Sequence, residues 1–248
     1  MAALQWPLRH GAPDDNLAVV DRLLAAAGPV DLALLPESAL TSYVSPGGDF
    51  DLSPFAEPLL GPTQRALAEL ARRHHTTVAG PLVERAGDDC FNALLLHDLE
   101  GRLVGHYRKR HPWYPESWAS PGAAPFALVP WGDYRLLVAI CFDVHFLDHE
   151  AGALLDGADL LLFPSAWVDD PPTQDARAQL LPTLARRHGL WVVNANWGCG
   201  RPRIPGQGGS MIVAPDGSIV ARSDPQATAQ VVTATLGPPR MRAADRLR

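Results

Sequence analysis

The chain has 248 residues, 47% of them hydrophobic and 19% charged, with a formal net charge of −6. This composition supplies a sizeable core and excludes disorder as the main state. The acidic balance argues against nucleic acid or an anionic membrane as the main partner. In chain order, residues 2–6 read as a first strand. Residues 14–27 carry apolar side chains at helical spacing behind an Asp/Asn cluster suited to N-capping. A buried strand is expected over 31–35 and a helix over 63–75, entered through Gly61-Pro62. Strands over 76–84, 91–98 and 102–107 follow, the last two flanking the turn Leu99-Glu100-Gly101. A strand over 134–142, a helix over 148–156, a strand over 159–163, a helix over 173–188 and a strand over 190–194 come next. A hairpin of 210–213 with 218–221 turns at Pro215-Asp216-Gly217, and a strand over 229–235 closes the body. Strands interleaved with helices in places and adjacent hairpins elsewhere predict an α/β sandwich with mixed sheets. The domain is expected to span residues 1–236, with 237–248 an exposed tail available for assembly.

No apolar run reaches the roughly 18 residues of a membrane span. The longest, Leu160-Leu161-Leu162-Phe163, stops at Pro164. Residues 1–10 include Gln5 and Arg9 and lack an apolar signal core. Cys90, Cys141 and Cys199 are too few and too scattered for a disulfide framework, so a reducing cytoplasm is expected.

Of the 21 basic residues, only Lys109 is a lysine. Wherever a generic cation would serve, this chain uses arginine. The one lysine therefore marks a place where a compact ammonium is wanted and a planar guanidinium would not fit. In open α/β sheets, functional groups gather beyond the carboxyl ends of strands. Three expected strands end this way: Leu32-Ala33-Leu34-Leu35-Pro36 delivers Glu37, the strand ending in Tyr107-Arg108 delivers Lys109, and Leu136-Leu137-Val138-Ala139-Ile140 delivers Cys141. Taken singly, each has a plain structural reading, a packed thiol or a polar strand terminus. Taken together, an acid, a cation and a thiol make a nucleophilic site for an acyl carbon.

These residues sit in contexts that resemble the nitrilase superfamily, the carbon–nitrogen hydrolases with a Glu–Lys–Cys triad. Leu34-Leu35-Pro36-Glu37 is similar to that family's base motif, Tyr107-Arg108-Lys109 to its lysine motif, and Ile140-Cys141-Phe142-Asp143 to its nucleophile elbow. Phe163-Pro164-Ser165-Ala166-Trp167, Asn194-Ala195-Asn196 and Gly208-Gly209-Ser210 resemble later landmarks, so the likeness runs over nearly the whole chain. The resemblance implies a four-layer α-β-β-α sandwich with two mixed sheets, commonly dimerised, that hydrolyses non-peptide amides through a thioester. It implies Glu37 as general base, Lys109 as charge stabiliser, Cys141 as nucleophile and the Phe142 backbone N–H in the oxyanion hole. Glu116 resembles the second glutamate that positions substrate and lysine.

The motifs come closest to the biotinidase/pantetheinase and aliphatic amidase branches. Where many members carry Arg-Phe-Pro-Glu after the elbow, this chain has His145-Phe146-Leu147-Asp148, which counts against N-carbamoyl amino acids as substrates. Trp113, Tyr114, Trp118 and Trp167 surround the motifs and suggest an aromatic wall for an apolar or amphipathic acyl group, with His145 beside it. His145 and His149 have no third partner at ligand spacing, so no metal is expected, and no cofactor. A homodimer or higher homo-oligomer acting on a small amide is expected. Nitrile hydrolysis, acyl transfer through the same thioester, and a catalytically silent binding protein remain open alternatives.

Overall fold

Side-chain alternation along a few short apolar strands decides how the layers stack. The computed structural model describes residues 1–168, 175–199, 207–224 and 229–240. In it β1 (Ala2–Gln5) leads to α1 (Pro13–Ala27), β2 (Leu32–Leu34), α2 (Pro62–His74), β3 (Thr77–Ala86), β4 (Asp89–His97) and β5 (Leu103–Arg108). Then come β6 (Val129–Trp131), β7 (Tyr134–Val138), α3 (Leu147–Gly157), β8 (Leu160–Ser165), α4 (Arg177–His188) and β9 (Trp191–Asn196). β10 (Met211–Val213), β11 (Ile219–Arg222) and β12 (Gln230–Thr233) complete the described elements. Two six-stranded sheets result, ordered β12-β1-β2-β3-β4-β5 and β11-β10-β9-β8-β7-β6. Each has three parallel strands at its centre, β1-β2-β3 or β7-β8-β9, with antiparallel pairs outside them. Both sheets are mixed, as expected.

Leu32 and Leu34 point between the sheets, where they meet Leu136, Val138, Leu160 and Leu162. Their neighbours Ala33 and Leu35 point the other way, into a layer shared with Val20 and Leu24 of α1 and Leu67 and Leu70 of α2. On the second sheet Leu137 and Leu161 pack outward against Leu147 and Leu155 of α3 and Leu181 and Leu184 of α4. A one-residue shift of any strand would turn its leucines to the wrong layer. Since burying one leucine is worth about 1.5–3 kcal/mol, register is strongly specified.

Four details differ from the sequence expectations. The helix over 14–27 starts at Pro13, behind Ala12, without a side-chain cap. Asn16 instead turns inward, accepting from Trp6 Nε1 at 3.3 Å and donating to the Arg9 and Leu40 carbonyls at 2.8 and 2.9 Å. β7 ends at Val138 rather than 142, because the backbone turns into a short 3₁₀ segment at Cys141. β6 was not expected, its three residues including Pro130, which removes a ladder donor. Gly237, Pro239 and Arg240 lie half-buried: Tyr134 Oη donates to Gly237 O at 2.8 Å, and Arg240 reaches the carbonyls of His188, Leu155 and Ala158. The first two residues of the expected helix over 173–188, and residues 241–248 of the tail, lie outside the described residues.

Candidate active site

Glu37, Lys109 and Cys141 converge beyond the ends of β2, β5 and β7. Glu37 stands three residues past β2, on a turn that closes with Thr41 N donating to Ser38 O at 3.1 Å. Lys109 follows β5 directly and is pinned at its backbone: its N–H donates to Asn92 O and its carbonyl accepts from Gly122 N, both at 2.8 Å. Cys141 opens the 3₁₀ segment at φ +46°, a left-handed conformation uncommon outside glycine. Strain of this kind persists only where its surroundings fix it, and Asp143 is the fixing group. Asp143 is fully buried, and its carboxylate accepts from Ile140 N at 3.0 Å, His111 N at 2.9 Å and Tyr107 Oη at 2.7 Å. One side chain thus ties the cysteine turn to the segment carrying Lys109.

The Lys109 ammonium lies between two carboxylates, 2.7 Å from Glu37 Oε1 and 2.5 Å from Glu116 Oε2. All three side chains are sealed from solvent. Asn92, in the middle of β4, donates through Nδ2 to both acids, at 2.8 Å to Glu37 Oε1 and 2.7 Å to Glu116 Oε1. Trp113 N donates to Glu116 Oε2 at 2.7 Å, and Ala166 N, just past β8, to Glu37 Oε2 at 2.8 Å. Burial pushes the Glu37 carboxyl above its usual range and Glu116 adds to this, against the opposing pull of Lys109. For Lys109, burial pulls down, but the two carboxylates together outweigh it and hold the ammonium firmly protonated. Burial, reinforced by Glu37, raises the Cys141 thiol well above its ordinary value despite Lys109. The thiol therefore rests protonated, close to the Glu37–Lys109–Glu116 cluster.

Cys141 opens into a cavity of about 420 Å³ walled by aromatic residues. Trp113, Tyr114, Phe142, His145 and Trp167 all line it, whereas Trp118 does not. Tyr43, Phe50 and Trp197 also line it and were not singled out from sequence. Nor was Asn92, although a lone amide among the apolar residues of β4 was the available signal. A second buried polar group supports the far wall. Asn196 Oδ1 accepts from Ser165 Oγ at 3.0 Å and Trp167 N at 2.8 Å. Asn196 N donates to Ser210 Oγ at 2.9 Å, and Ser210 Oγ donates to Gln5 Oε1 of β1 at 3.0 Å. Among the described residues no group of three or more His, Cys, Asp or Glu is placed to hold a metal, and no helix is long and apolar enough to cross a membrane.

The family profile described as Carbon-nitrogen hydrolase matches residues 1–246. The chain is a carbon–nitrogen hydrolase. Among curated relatives, this hydrolase is 31% identical to the "Hydrolase in pqqF 5'region" of Pseudomonas protegens, over 89% of this chain and 77% of the other. It is 29% identical to an (R)-stereoselective amidase of a Pseudomonas species, over 86% and 76%. With the N-carbamoylputrescine amidase of Arabidopsis thaliana the identity is 28%, over 91% and 83%. Among solved structures, an amidase from Nesterenkonia superposes with a TM-score of 0.79 at 25% identity, covering 93% of this chain and 88% of that one. Saccharomyces cerevisiae Nit3, a member of the nitrilase superfamily, superposes at 0.82 with 22% identity, covering 96% and 89%. The nitrilase-like layering expected from the motifs is thus the fold of this hydrolase.

Proposed function

We propose that this hydrolase is a cysteine amidase in which Cys141 is the nucleophile, Glu37 the general base, Lys109 the charge stabiliser and Glu116 a positioning acid. One observation carries the reading: a thiol facing a cavity, backed by a sealed Glu37–Lys109–Glu116 cluster with a single shared ammonium. The thiol is held protonated, so attack needs a base, and Glu37 is the acid whose second oxygen is fixed by Ala166 N on the cavity wall. Glu116, held by Asn92, Lys109 and Trp113 N, is given the part of fixing the ammonium.

As Cys141 Sγ adds to the amide carbon, its proton passes to Glu37. The oxyanion is met by Lys109 Nζ and the Phe142 N–H. The C–N bond breaks as Glu37 gives the proton to nitrogen, releasing ammonia or an amine and leaving a thioester. Water then gives a proton to Glu37 and adds to the thioester carbon. The C–S bond breaks, the thiol is reprotonated and the acid departs. The named relatives that are amidases support amides as the substrate class. A homodimer in the cytoplasm belongs to the same proposal, supported by the family resemblance and the cysteine-poor composition, and sedimentation equilibrium tests the dimer.

The test is a panel of neutral amides and matching nitriles, scored for ammonia and, after acid quench, for intact mass. The reading expects an acyl adduct on Cys141 from amides. It also expects Cys141→Ala to release no ammonia while unfolding as cooperatively as the parent. Undiminished turnover by that variant would falsify the mechanism.

A further inference from the structure

Left-handed backbone is uncommon outside glycine and persists where the surroundings impose it. Of the four described non-glycine residues that adopt it, one is Cys141 itself, one is Ser38, directly after Glu37, and one is Ser42, directly before Tyr43. The feature that marks the cysteine and its neighbouring acid therefore marks Tyr43 as well. Ser42 is fully buried, its Oγ donating to Val44 O at 3.1 Å and its carbonyl accepting from Thr41 Oγ1 at 3.3 Å, so the turn is locked. The ring it aims is fixed too. Tyr43 stacks on Trp113 at 6.4 Å and stands edge-on to Phe50 and Trp197, with centroids 5.7 and 6.4 Å away.

Tyr43 lines the cavity together with Cys141 and is 3% exposed. Its hydroxyl faces the acid cluster: Glu116 is its hydrogen-bond partner, and Glu37 and Cys141 lie near enough to act on it. The oxygen is not among the polar atoms sealed off without a partner. A carboxylate only accepts, so the phenol proton turns to Glu116 and the oxygen keeps its lone pairs for a donor arriving in the cavity. Burial, with Glu116 and Glu37 adding to it, pushes the phenol well up. It therefore keeps its proton throughout and serves as an acceptor, not as an acid.

A primary amide brings two N–H donors into the cavity. In the cycle above its oxygen is met by Lys109 and the Phe142 N–H, and its nitrogen takes a proton from Glu37. Those N–H groups still need acceptors once the amide has left water. We propose that Tyr43 Oη accepts a hydrogen bond from the nitrogen of the bound amide and holds it as the C–N bond breaks, so that the site favours primary amides over esters of the same acid. This deepens the amidase reading and rests on it. No bond or electron is added to that cycle: Glu37 still supplies the proton, and Tyr43 holds an N–H that the substrate brought with it. An ester presents an oxygen at this place, and its lone pairs meet those of Tyr43 Oη where a donor is wanted.

The experiment measures kcat/KM for hexanamide and methyl hexanoate, as hexanoic acid released, in the parent enzyme and in Tyr43→Phe, which keeps the ring and its aromatic neighbours. Both substrates form the same thioester from the same acyl group, so they differ only where the leaving atom is held. Whatever the lost bond to Glu116 does to the cluster falls on both and cancels in their ratio. The amide-to-ester ratio is expected to fall at least about fivefold in Tyr43→Phe, the worth of one ordinary hydrogen bond. A ratio that stays the same, whether both rates fall together or neither does, overturns the inference, as does a ratio that rises. A second measurement needs no Tyr43 variant and decides alone if that variant does not fold or the ester is too slow. In a crystal structure of Cys141→Ala with hexanamide, the amide nitrogen should lie within about 3.2 Å of Tyr43 Oη; a nitrogen beyond that reach overturns the inference. Failure of the amidase reading looks different: the parent would release acid from neither compound, and no hexanoyl adduct would form on Cys141.

Discussion

Replacing Lys109 with methionine removes the one cation from a sealed site and leaves Glu37 and Glu116 facing each other with only neutral donors. Methionine fills nearly the same volume, so the change isolates charge. The variant has one escape, which is to protonate a carboxyl group. Starting from the ordinary glutamate value of 4.5, protonation at pH 7 costs about 3.4 kcal/mol, at 1.36 kcal/mol per pH unit. This sets the ceiling on the loss, and it lies within the 3–5 kcal/mol typical of breaking a buried ion pair. For a domain of this size it corresponds to a fall in Tm of about 7–14 °C.

The sign of the pH dependence follows. In the variant the carboxyl has its folded pKa raised above the unfolded value. Its contribution is intact below pH 4.5 and is lost as pH rises through the raised value. Because Glu37 is already held above its usual range in the parent, the stability gap between parent and Lys109→Met should widen as pH rises and reach at most about 3.4 kcal/mol at pH 7. Urea unfolding of both proteins, followed by circular dichroism across this range, measures it. A gap that stays flat with pH, or one below about 1 kcal/mol at pH 7, would refute the picture of two buried carboxylates held by one ammonium.

Lys109→Arg is expected to be nearly as inactive as Lys109→Met in ammonia release, because a planar fork cannot take the place of an ammonium nitrogen held 2.7 and 2.5 Å from the two acids; recovery of most of the rate would remove the need for a compact cation. Asn92→Leu takes the amide donor from Glu116 Oε1 and leaves Glu37 Oε1 to Lys109, and should cost about 1–3 kcal/mol. Asn92→Asp, which adds a third acid, should be worse, and the ranking of their urea midpoints tests this. Away from the site, buried Glu84 receives His106 Nε2 at 2.7 Å and Arg108 Nε at 2.9 Å. Burial opposes these bonds, yet they hold its carboxyl down at about 2. Its stabilisation is complete above 4.5 and is lost as pH falls from there toward 2. Glu84→Gln should flatten the acid limb of stability between those values in urea titrations.

The convergence of Glu37, Lys109 and Cys141 was legible because each lies beside a short apolar strand and each strand end is a local feature of the chain. The layering was legible for a similar reason: Leu32 and Leu34 alternate with Ala33 and Leu35, and each pair belongs to a different layer. Asn92 was not legible. Its importance comes from lying across the sheet from Glu37 and over the Trp113–Glu116 turn, a coincidence of register that no local pattern encodes. Asn16 misled because an Asn behind two aspartates satisfies the capping rule, while its tertiary partners Trp6 and Leu40 are what decide its place. The overrun of β7 had a comparable cause: Ala139-Ile140 continue the apolar pattern, and only the positive φ at Cys141 marks the turn.

Ser210 stands where the two sheets meet, joined to Gln5 on one side and Asn196 on the other. Because Asn196 also carries the peptide of Trp167, sliding one sheet over the other would rupture this seam and tear the cavity wall from its anchor. Whatever lets a substrate in and an acid out must therefore come from the rim and not from the frame. The two halves are riveted where they meet, through one serine hydroxyl and its neighbours.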